Sequence, residues 1–144
     1  MKYSLNTKIV NPIESPESAV ILCHGYGGDG KDISIVANYW KNFLPKTLFL
    51  CPDAPEICKV NSSGFQWFDL MDQTPEEILS KSLIAENKLN NFIAEVIQIN
   101  NISAKKIALV GFSQGCMISL QTALKRKDSV GCVIGYSGKI INQE

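Results

Sequence analysis

The clearest chemistry in this sequence belongs to a serine that lies between two glycines, in the segment Gly111-Phe112-Ser113-Gln114-Gly115. An apolar run precedes the serine and a helical pattern follows it, so the sequence predicts a strand, a tight turn and a helix. Glycines two positions away on either side remove the Cβ atoms that would clash in such a turn. This arrangement is typical of a nucleophile elbow, which exposes the serine hydroxyl above the sheet. The alternative is an ordinary glycine-rich turn between a strand and a helix.

The elements that must hold this serine alternate along the whole chain. Besides the strand before the serine, apolar runs predict an edge strand and three buried strands, at residues 2–10, 19–23, 47–51 and 130–136. Amphipathic segments predict a helix capped by Asp32, a helix from Thr74 to about Asn100, and the helix after the serine. Strands that alternate with helices indicate an α/β fold with a mainly parallel sheet, in one domain over residues 1–144.

The apolar periodicity of these helices predicts which residues they bury. These residues are Ile33, Val36, Ala37, Trp40 and Leu44 in the first helix, Ile78, Ala85, Leu89, Phe92, Ile93 and Val96 in the second, and Met117, Leu120 and Leu124 in the third. Thr74, Pro75 and Glu77 match the capping position, the first position and the third position of the second helix. The connection from Pro52 to Met71 has no clear periodicity, so no regular structure is predicted there.

The composition argues against several classes of protein. Fourteen basic side chains balance fourteen acidic ones, so no strong field is present to attract nucleic acid or anionic lipid. No run of about 18 apolar residues predicts a membrane span, and the N-terminal residues lack the apolar core of a signal peptide. Five cysteines without Cys-x-x-Cys spacing give no support for a structural metal site. We therefore expect a cytoplasmic location and free thiols, buried at Cys23, Cys51, Cys116 and Cys132.

A second glycine-rich segment follows the first buried strand and has two interpretations. Gly25, Gly30 and Lys31 match most of a phosphate-binding loop, which would make the protein a nucleotide binder. However, Asp32 stands where that loop needs a hydroxyl to ligate magnesium. Asp29 places a second negative charge where a triphosphate would have to lie. Two carboxylates beside bare phosphates repel them, which argues against nucleotide binding.

The other interpretation of this segment uses its backbone. In serine hydrolases of the predicted architecture, a loop after an early strand offers an amide N–H to the oxyanion, and the residue after the nucleophile offers another. In this sequence those two residues would be Tyr26 and Gln114. Under this interpretation alone, both glycine-rich turns serve one reaction.

Five ordered blocks of sequence carry a resemblance to a known family. They are His24–Gly30, Pro52–Pro55, Trp67–Asp69, Gly111–Gly115 and Tyr136–Gly138. In order and spacing they resemble the phospholipase/carboxylesterase family of α/β-hydrolases, which includes the acyl-protein thioesterases. The resemblance covers nearly the whole chain from about residue 17. It implies the N-terminal two-thirds of an α/β-hydrolase fold and a serine esterase or thioesterase that acts on a small acyl ester or thioester without a cofactor.

The resemblance also implies roles for individual residues. It makes Ser113 the nucleophile, gives the oxyanion-binding N–H groups to Tyr26 and Gln114, and places Trp67 in the segment that lines the acyl pocket. One departure from the family pattern is Cys116, which stands where the family usually has a further glycine. We expect a small thiol to be tolerated there, because the new helix packs on the sheet at this point.

The larger departure from the family pattern is the absence of an acid and a base that would complete a catalytic triad. In this fold they follow the serine in the chain, but only Asp128 and Glu144 are acidic after Ser113, and no histidine follows it. We therefore expect a truncated chain that is a poor hydrolase by itself, since no imidazole is placed to activate the serine. His24 and Gly25 are predicted to support the oxyanion loop rather than to supply a displaced base.

Two further expectations follow from the missing segments. The strand at residues 130–136 would become an apolar sheet edge, which predicts a homo-oligomer or association with a separate C-terminal fragment. The alternative function is that of a non-catalytic acyl-binding or interaction protein built on a hydrolase scaffold.

Overall fold

A sheet with helices on both of its faces forms the centre of the protein, in a computed structural model that describes residues 2–71 and 73–141. The strands are β1 (Thr7–Val10), β2 (Ser18–Cys23), β3 (Thr47–Pro52), β4 (Glu56–Ile57), β5 (Phe65–Gln66), β6 (Ile107–Phe112) and β7 (Cys132–Tyr136). The helices are α1 (Gly30–Trp40), α2 (Pro75–Asn100) and α3 (Gln114–Lys125), with a short 3₁₀ turn at Ala104–Lys106. Glu144 lies outside the described residues.

The strand order confirms the predicted α/β fold with a mainly parallel sheet. Five strands are arranged as β1-β3-β2-β6-β7. All neighbouring pairs in this sheet are parallel except β1 with β3, which are antiparallel. β4 and β5 form a separate antiparallel hairpin within the connection for which no regular structure was predicted. Because each strand of this hairpin has only two residues, it leaves no periodicity in the sequence.

Each face of the sheet has its own apolar core. Helix α1 packs on one face, over β1, β2 and β3, whereas α2 and α3 lie on the other. Strand β2 shows how the sequence supplies both cores: Val20 and Leu22 pack with the α1 side, and Ile21 and Cys23 pack with the α2 side. Strands buried on both faces need such continuous apolar runs, as predicted for β2. No helix within the two described ranges is long and apolar enough to cross a membrane.

The start of α2 has the predicted capping box. The Thr74 hydroxyl accepts a hydrogen bond from the Glu77 N–H at 3.2 Å, and the Glu77 carboxylate accepts one from the Thr74 N–H at 2.8 Å. These two bonds satisfy donors that the helix itself leaves unpaired. The predicted apolar stripe of α2 is buried, apart from a partly buried Ile78, at Ala85, Leu89, Phe92, Ile93 and Val96.

The cap of α1 was predicted at the wrong residue. Asp29, not Asp32, caps the helix, and the Asp29 carboxylate accepts a hydrogen bond from the Asp32 N–H at 2.7 Å. The helix begins earlier because Gly30 fits against β3, where a Cβ would lie 2.1 Å from the Cys51 carbonyl oxygen. The predicted apolar face is also less buried than expected, since Leu44 lies beyond the end of α1 and is exposed.

Besides Val36 and Leu44, two further positions that were predicted to be buried are exposed. In α3, Leu124 is 70% exposed, whereas the polar side chain of Gln121 is buried and hydrogen-bonded to Ser82 of α2. The sheet and α2 both contact α3, so the buried surface of this helix is wider than a single apolar stripe. Cys132 is exposed because β7 is an edge strand, but the predicted free thiols Cys23, Cys51 and Cys116 are buried.

We expect Thr74→Ala to lower the free energy of unfolding by about 1 kcal/mol, because it removes the side-chain half of the capping box. Urea unfolding followed by circular dichroism measures this change. Ser80→Ala is the matched control: Ser80 is an exposed serine inside α2, where alanine is the better helix former. Equal effects of the two substitutions would contradict a stabilising role for the cap.

Candidate active site

Ser113 joins β6 to α3 in a strained turn. Its backbone angles are φ 54° and ψ −116°, a conformation that non-glycine residues rarely adopt and that costs about 1–3 kcal/mol. The turn is tight enough that a Cβ at Gly111 would lie 2.3 Å from the carbonyl oxygen of Gly115. A Cβ at Gly115 would lie 2.0 Å from the carbonyl oxygen of Cys23 in β2. Both flanking positions therefore require glycine, as a nucleophile elbow does.

The backbone of Ser113 is held while its side chain is left free. Its N–H donates to the Tyr136 carbonyl at 2.8 Å, and its carbonyl accepts from the Met117 N–H at 3.2 Å. Among residues 2–71 and 73–141, no hydrogen-bond partner is found for the Ser113 hydroxyl. The residue is partly exposed, so this hydroxyl is available to a bound molecule.

The glycine-rich loop after β2 lies directly against this turn. A Cβ at Gly25 would come within 3.3 Å of the Ser113 Cβ. Two of the loop's N–H groups have acceptors within the protein: the Gly27 N–H donates to Phe65, and the Gly28 N–H donates to Gly25. In the described part of the chain, the N–H groups of Tyr26 and Gln114 have no acceptor. These are the two groups that the sequence assigns to the oxyanion.

The same loop does not offer the amides that a nucleotide phosphate needs. The Gly30 N–H donates to the Asp53 carboxylate at 2.8 Å, and the Asp32 N–H donates to the Asp29 carboxylate at 2.7 Å. Two side-chain anions thus occupy positions where a phosphate-binding loop would bind its ligand. The nucleotide-binding alternative therefore conflicts with the structure.

Both ring nitrogens of His24 are occupied. Nε2 accepts a hydrogen bond from the Ala54 N–H at 2.9 Å, so the ring proton is assigned to Nδ1, which donates to the Gly25 carbonyl at 2.7 Å. The side chain is buried, and burial is the main cause that lowers the pKa of His24 below its usual value. The neutral ring spans two loops and points neither nitrogen at Ser113.

The side chain of Gln114 forms a clamp that the sequence did not predict. Its Oε1 accepts from the Trp67 N–H at 2.8 Å, and its Nε2 donates to the Phe68 carbonyl at 2.7 Å. The Trp67 indole N–H donates to the His24 carbonyl at 3.0 Å. Three segments far apart in the sequence are thereby fixed around the turn. The sequence does contain one indication of these hydrogen bonds: Gln114 is an amide side chain beside the candidate nucleophile in an otherwise apolar stretch.

An apolar cavity of about 630 Å³ lies beside the site on the α1 side of the sheet. Its walls come from α1, from the loop after β2, and from the C-terminal ends of β6 and β7. Trp67 is 1% exposed, packs in the core on the other face, and is not among the residues that line this cavity. Its predicted place in an acyl pocket stays a prediction.

The other reactive side chains near the site have structural surroundings. Burial raises the pKa of the Cys23 thiol to about 12, so this thiol does not ionise at neutral pH. Cys116 is buried, and a Cβ at Gly138 would lie 2.5 Å from the Cys116 Cβ. Gly138, on the loop that faces Cys116, therefore leaves the space that the cysteine side chain occupies in place of a glycine.

Neither nearby carboxylate is free to act as a displaced acid. Asp53 accepts hydrogen bonds from the Gly30 N–H and from the Asn6 side chain. Asp69 is buried, contacts Lys59 and accepts from the Met71 N–H, and the bond with Lys59 is the main cause that lowers the pKa of Asp69. Both carboxylates hold loops in place.

Comparison with known proteins identifies the family. The model of the phospholipase/carboxylesterase family of α/β-hydrolases matches residues 5–144. The chain belongs to this family. The resemblance drawn from the five ordered sequence blocks is thus confirmed.

Individual relatives agree with this family assignment. Acyl-protein thioesterase 1 of Schizosaccharomyces pombe is 31% identical in an alignment of length 143 that covers 96% of this chain and 63% of the relative. Acyl-protein thioesterase 1 of Saccharomyces cerevisiae is 27% identical in an alignment of length 140 that covers 91% of this chain and 62% of the relative. The chain thus spans less than two thirds of the length of these relatives.

Two solved structures of esterases share the fold of this chain. The crystal structure of esterase PE8 superimposes with a TM-score of 0.88 and 32% identity, over 95% of this chain and 65% of that one. The Bacillus cereus carboxylesterase superimposes with a TM-score of 0.76 at 13% identity, over 98% of this chain and 63% of that one, and shows the fold alone.

We expect Gly115→Ala to lower the free energy of unfolding by roughly 1–3 kcal/mol or to prevent folding, because the added Cβ collides with a backbone carbonyl that cannot move aside. Urea unfolding measures the loss. Gly28→Ala is the matched control in the facing loop, where a Cβ would meet its neighbours at 3.4 Å or more. An alanine at 115 that is tolerated as well as one at 28 would disprove the close contact between α3 and β2.

We also expect stability to fall as the pH drops below the pKa of about 6.5 that histidine has in the unfolded chain. The pKa of His24 is lowered in the folded state, so the unfolded state binds the proton more readily below that pH. The slope is at most about 1.4 kcal/mol per pH unit for one proton.

The chain offers a clean test of this effect because it has a single histidine. Urea unfolding between pH 5 and pH 7 should give a flatter profile for His24→Asn than for the parent. NMR titration of the parent should place the pKa of His24 below 6.5. A measured pKa at or above that value would contradict the assignment of a buried, neutral ring.

Proposed function

We propose that this chain is a serine hydrolase of carboxylic esters or thioesters, with Ser113 as nucleophile. The proposal rests on one observation: a strained turn presents the Ser113 hydroxyl, which has no hydrogen-bond partner among the described residues, beside the loop that contains Gly25. We further propose that the N–H groups of Tyr26 and Gln114 bind the oxyanion, since both lack acceptors among the described residues. Relatives named acyl-protein thioesterase and esterase support both substrate classes.

In the proposed reaction, the Ser113 oxygen attacks the carbonyl carbon and its proton passes to a base. The carbonyl oxygen becomes an oxyanion, which the two N–H groups stabilise where the negative charge develops. The C–O or C–S bond to the leaving group breaks, and an alcohol or thiol departs with a proton. Water then hydrolyses the acyl-serine ester, which releases the acid and restores the serine. The strained backbone keeps the oxygen in position for both steps.

The proposed reaction needs a base that takes the proton of Ser113. The 144 residues contain one histidine, and both nitrogens of its ring are engaged. We therefore propose that His24, with Gly25, supports the oxyanion loop. We also propose that the 144-residue chain by itself hydrolyses esters slowly. Oxyanion binding without a complete triad gives on the order of 10³–10⁴ over the reaction in water.

Several finer assignments remain proposals. Trp67 is proposed to support an acyl pocket, and a cytoplasmic location is proposed from the free cysteines. Strand β7 is the edge of the sheet, which supports the prediction that this edge pairs with a second copy or with a C-terminal fragment. The 144 residues are proposed to form one domain.

A non-catalytic acyl-binding protein is the second candidate. It is favoured by the engaged ring of His24, which leaves Ser113 without an imidazole from the described residues. Such a protein would bind acyl chains and leave esters intact.

Hydrolysis of p-nitrophenyl butyrate and of a short acyl thioester by the purified chain distinguishes the two functions. We expect the parent to exceed the uncatalysed rate by at least about 10³-fold, and we expect Ser113→Ala to be slower than the parent because it keeps only the part of the rate that comes from oxyanion binding. Ser129→Ala, an exposed serine outside the site, should keep the parent rate. Fluorophosphonate labelling should modify the parent and not Ser113→Ala. Identical background rates in the parent and Ser113→Ala would favour the acyl-binding function.

A further inference from the structure

A polar cavity of about 350 Å³ lies between α2 and the end of α3. Every residue that lines it is polar or charged. We define the α2–α3 cavity by six of these residues: Asn90, Thr122, Lys125, Arg126, Lys127 and Asp128. Ser113 precedes the first residue of α3, whereas the cavity lies at the last turn, and the twelve residues of this helix extend about 18 Å. The cavity is therefore separate from the candidate active site.

The charges of the chain balance overall but are distributed unevenly. Residues 96–127 contain no acidic side chain and five basic ones, namely Lys105, Lys106, Lys125, Arg126 and Lys127. The fold brings these basic residues to one end of the sheet, because the loop between α3 and β7 contacts the segment just before β6. A Cβ at Gly131 would lie 2.4 Å from the Lys105 carbonyl oxygen. Such a concentration of positive charge attracts anions.

The carboxylate of Glu86, which also lines the cavity, is neutralised within the protein. Its Oε2 accepts from the Lys125 ammonium at 2.9 Å and from the Gln121 amide at 2.8 Å. It therefore does not cancel the charges of Arg126 and Lys127. Neither of these two residues has an ion-pair partner in the part of the chain that the structure describes.

The guanidinium of Arg126 is held in place with most of its donors unused. Its Nε donates to the Asp128 carbonyl at 3.0 Å, and its Nη1 donates to the Asn90 side-chain oxygen. A guanidinium has five N–H donors, so these bonds leave three for a ligand. Its planar fork matches two oxygens of one phosphate, and a side chain that is already oriented loses little freedom on binding.

The hydroxyl of Thr122 is a second, independent indication of a ligand. Thr122 is 1% exposed, and its hydroxyl has no hydrogen-bond partner among residues 2–71 and 73–141. Buried hydroxyls are nearly always paired, and Thr122 lines the cavity, so a bound oxyanion would supply the acceptor. Basic residues in the last turn of a helix also offset the helix dipole. That role accounts for the positive charge and leaves the cavity and the unpaired hydroxyl unexplained.

We propose that the α2–α3 cavity binds a phosphate monoester. The phosphate oxygens accept hydrogen bonds from the Arg126 guanidinium, the Lys127 ammonium and the Thr122 hydroxyl. A phosphate monoester offers three acceptor oxygens and carries a charge of about −1.5 to −2 at pH 7, which the two cations balance. The volume of the cavity is in the range of small-molecule sites, so the organic group of the ester also has room.

The binding test uses the 144-residue chain and glycerol 3-phosphate, with calorimetry for the affinity and NMR for the location. We expect saturable one-to-one binding, with the largest shifts of amide signals at residues 122–128. Arg126→Gln should weaken binding at least about tenfold, because it removes hydrogen bonds from a charged donor. Lys88→Gln is the matched control: it removes one positive charge from an exposed position of α2 outside the cavity and should leave the affinity unchanged.

Thr122→Val tests the hydroxyl with little change of shape. We expect weaker binding of glycerol 3-phosphate and no decrease of the urea midpoint, because the substitution removes a buried hydroxyl that has no partner in the described protein. A purely structural role of Thr122 would give the reverse result, a lower midpoint with unchanged affinity. Circular dichroism confirms that each variant is folded.

Asp128→Asn tests the sign of the ligand's charge. Asp128 is an exposed negative charge that lines the cavity, so its removal should tighten the binding of glycerol 3-phosphate. Its carbonyl, which accepts from Arg126, is unchanged by the substitution.

Vesicles distinguish the two sources of a phosphate monoester, a dissolved metabolite and the headgroup of a lipid. Binding of glycerol 3-phosphate without retention on phosphatidylcholine vesicles that contain phosphatidic acid would assign the dissolved source. Retention on these vesicles that Arg126→Gln abolishes, and no retention on phosphatidylcholine alone, would assign the headgroup. Either result supports the proposed site.

Four results would overturn the proposal. The first is the absence of saturable binding to both glycerol 3-phosphate and phosphatidic acid vesicles. The second is equal weakening by Arg126→Gln and Lys88→Gln, which would indicate attraction by net charge alone. The third is weaker binding by Asp128→Asn, and the fourth is binding of acetate as tight as that of glycerol 3-phosphate. None of these measurements involves hydrolysis, so failure of the proposed enzymatic activity is separate from all four.

Discussion

The contact between the first turn of α3 and the end of β2 constrains everything around the candidate site. A Cβ atom added at Gly115 would lie 2.0 Å from the Cys23 carbonyl oxygen, so the two backbones leave no room for a side chain between them. This contact sets the distance between the serine turn and the loop that follows β2. It also imposes the backbone angles of Ser113, whose strain is maintained by the strand on one side and the helix on the other. The free hydroxyl is a consequence of that geometry.

A buried polar network converts this contact into a rigid site. Gln114 binds both Trp67 and Phe68, Trp67 binds the His24 carbonyl, and the His24 ring joins Gly25 to Ala54. Every bond in this network joins groups that would be costly to bury alone, so the network resists partial rearrangement. The same bonds explain why the single histidine of the chain, His24, holds the loop. A ring with both nitrogens engaged cannot accept a proton without breaking a contact.

The two faces of the sheet differ in how much of their apolar surface the helices cover. The α2 side has a continuous core beneath α2 and α3, and the buried ring of Trp67 belongs to it. The α1 side is closed over β1, β2 and β3 and open over β6 and β7. Ser113 follows the C-terminal end of β6. In parallel sheets, binding and catalytic residues usually lie at the C-terminal ends of the strands.

The sequence alone determined the features that depend on short-range rules. Periodicity predicted the helices and the strands of the five-stranded sheet, Thr74 and Glu77 predicted the capping box, and the glycine spacing predicted the serine turn. Only the tertiary structure decided the cap at Asp29, the burial of Gln121 in place of Leu124, and the clamp made by Gln114. These depend on partners distant in the chain: 47 residues separate Gln114 from Trp67, and 39 separate Gln121 from Ser82. Local patterns report how a segment folds, and which polar side chains are buried depends on what the fold brings against them.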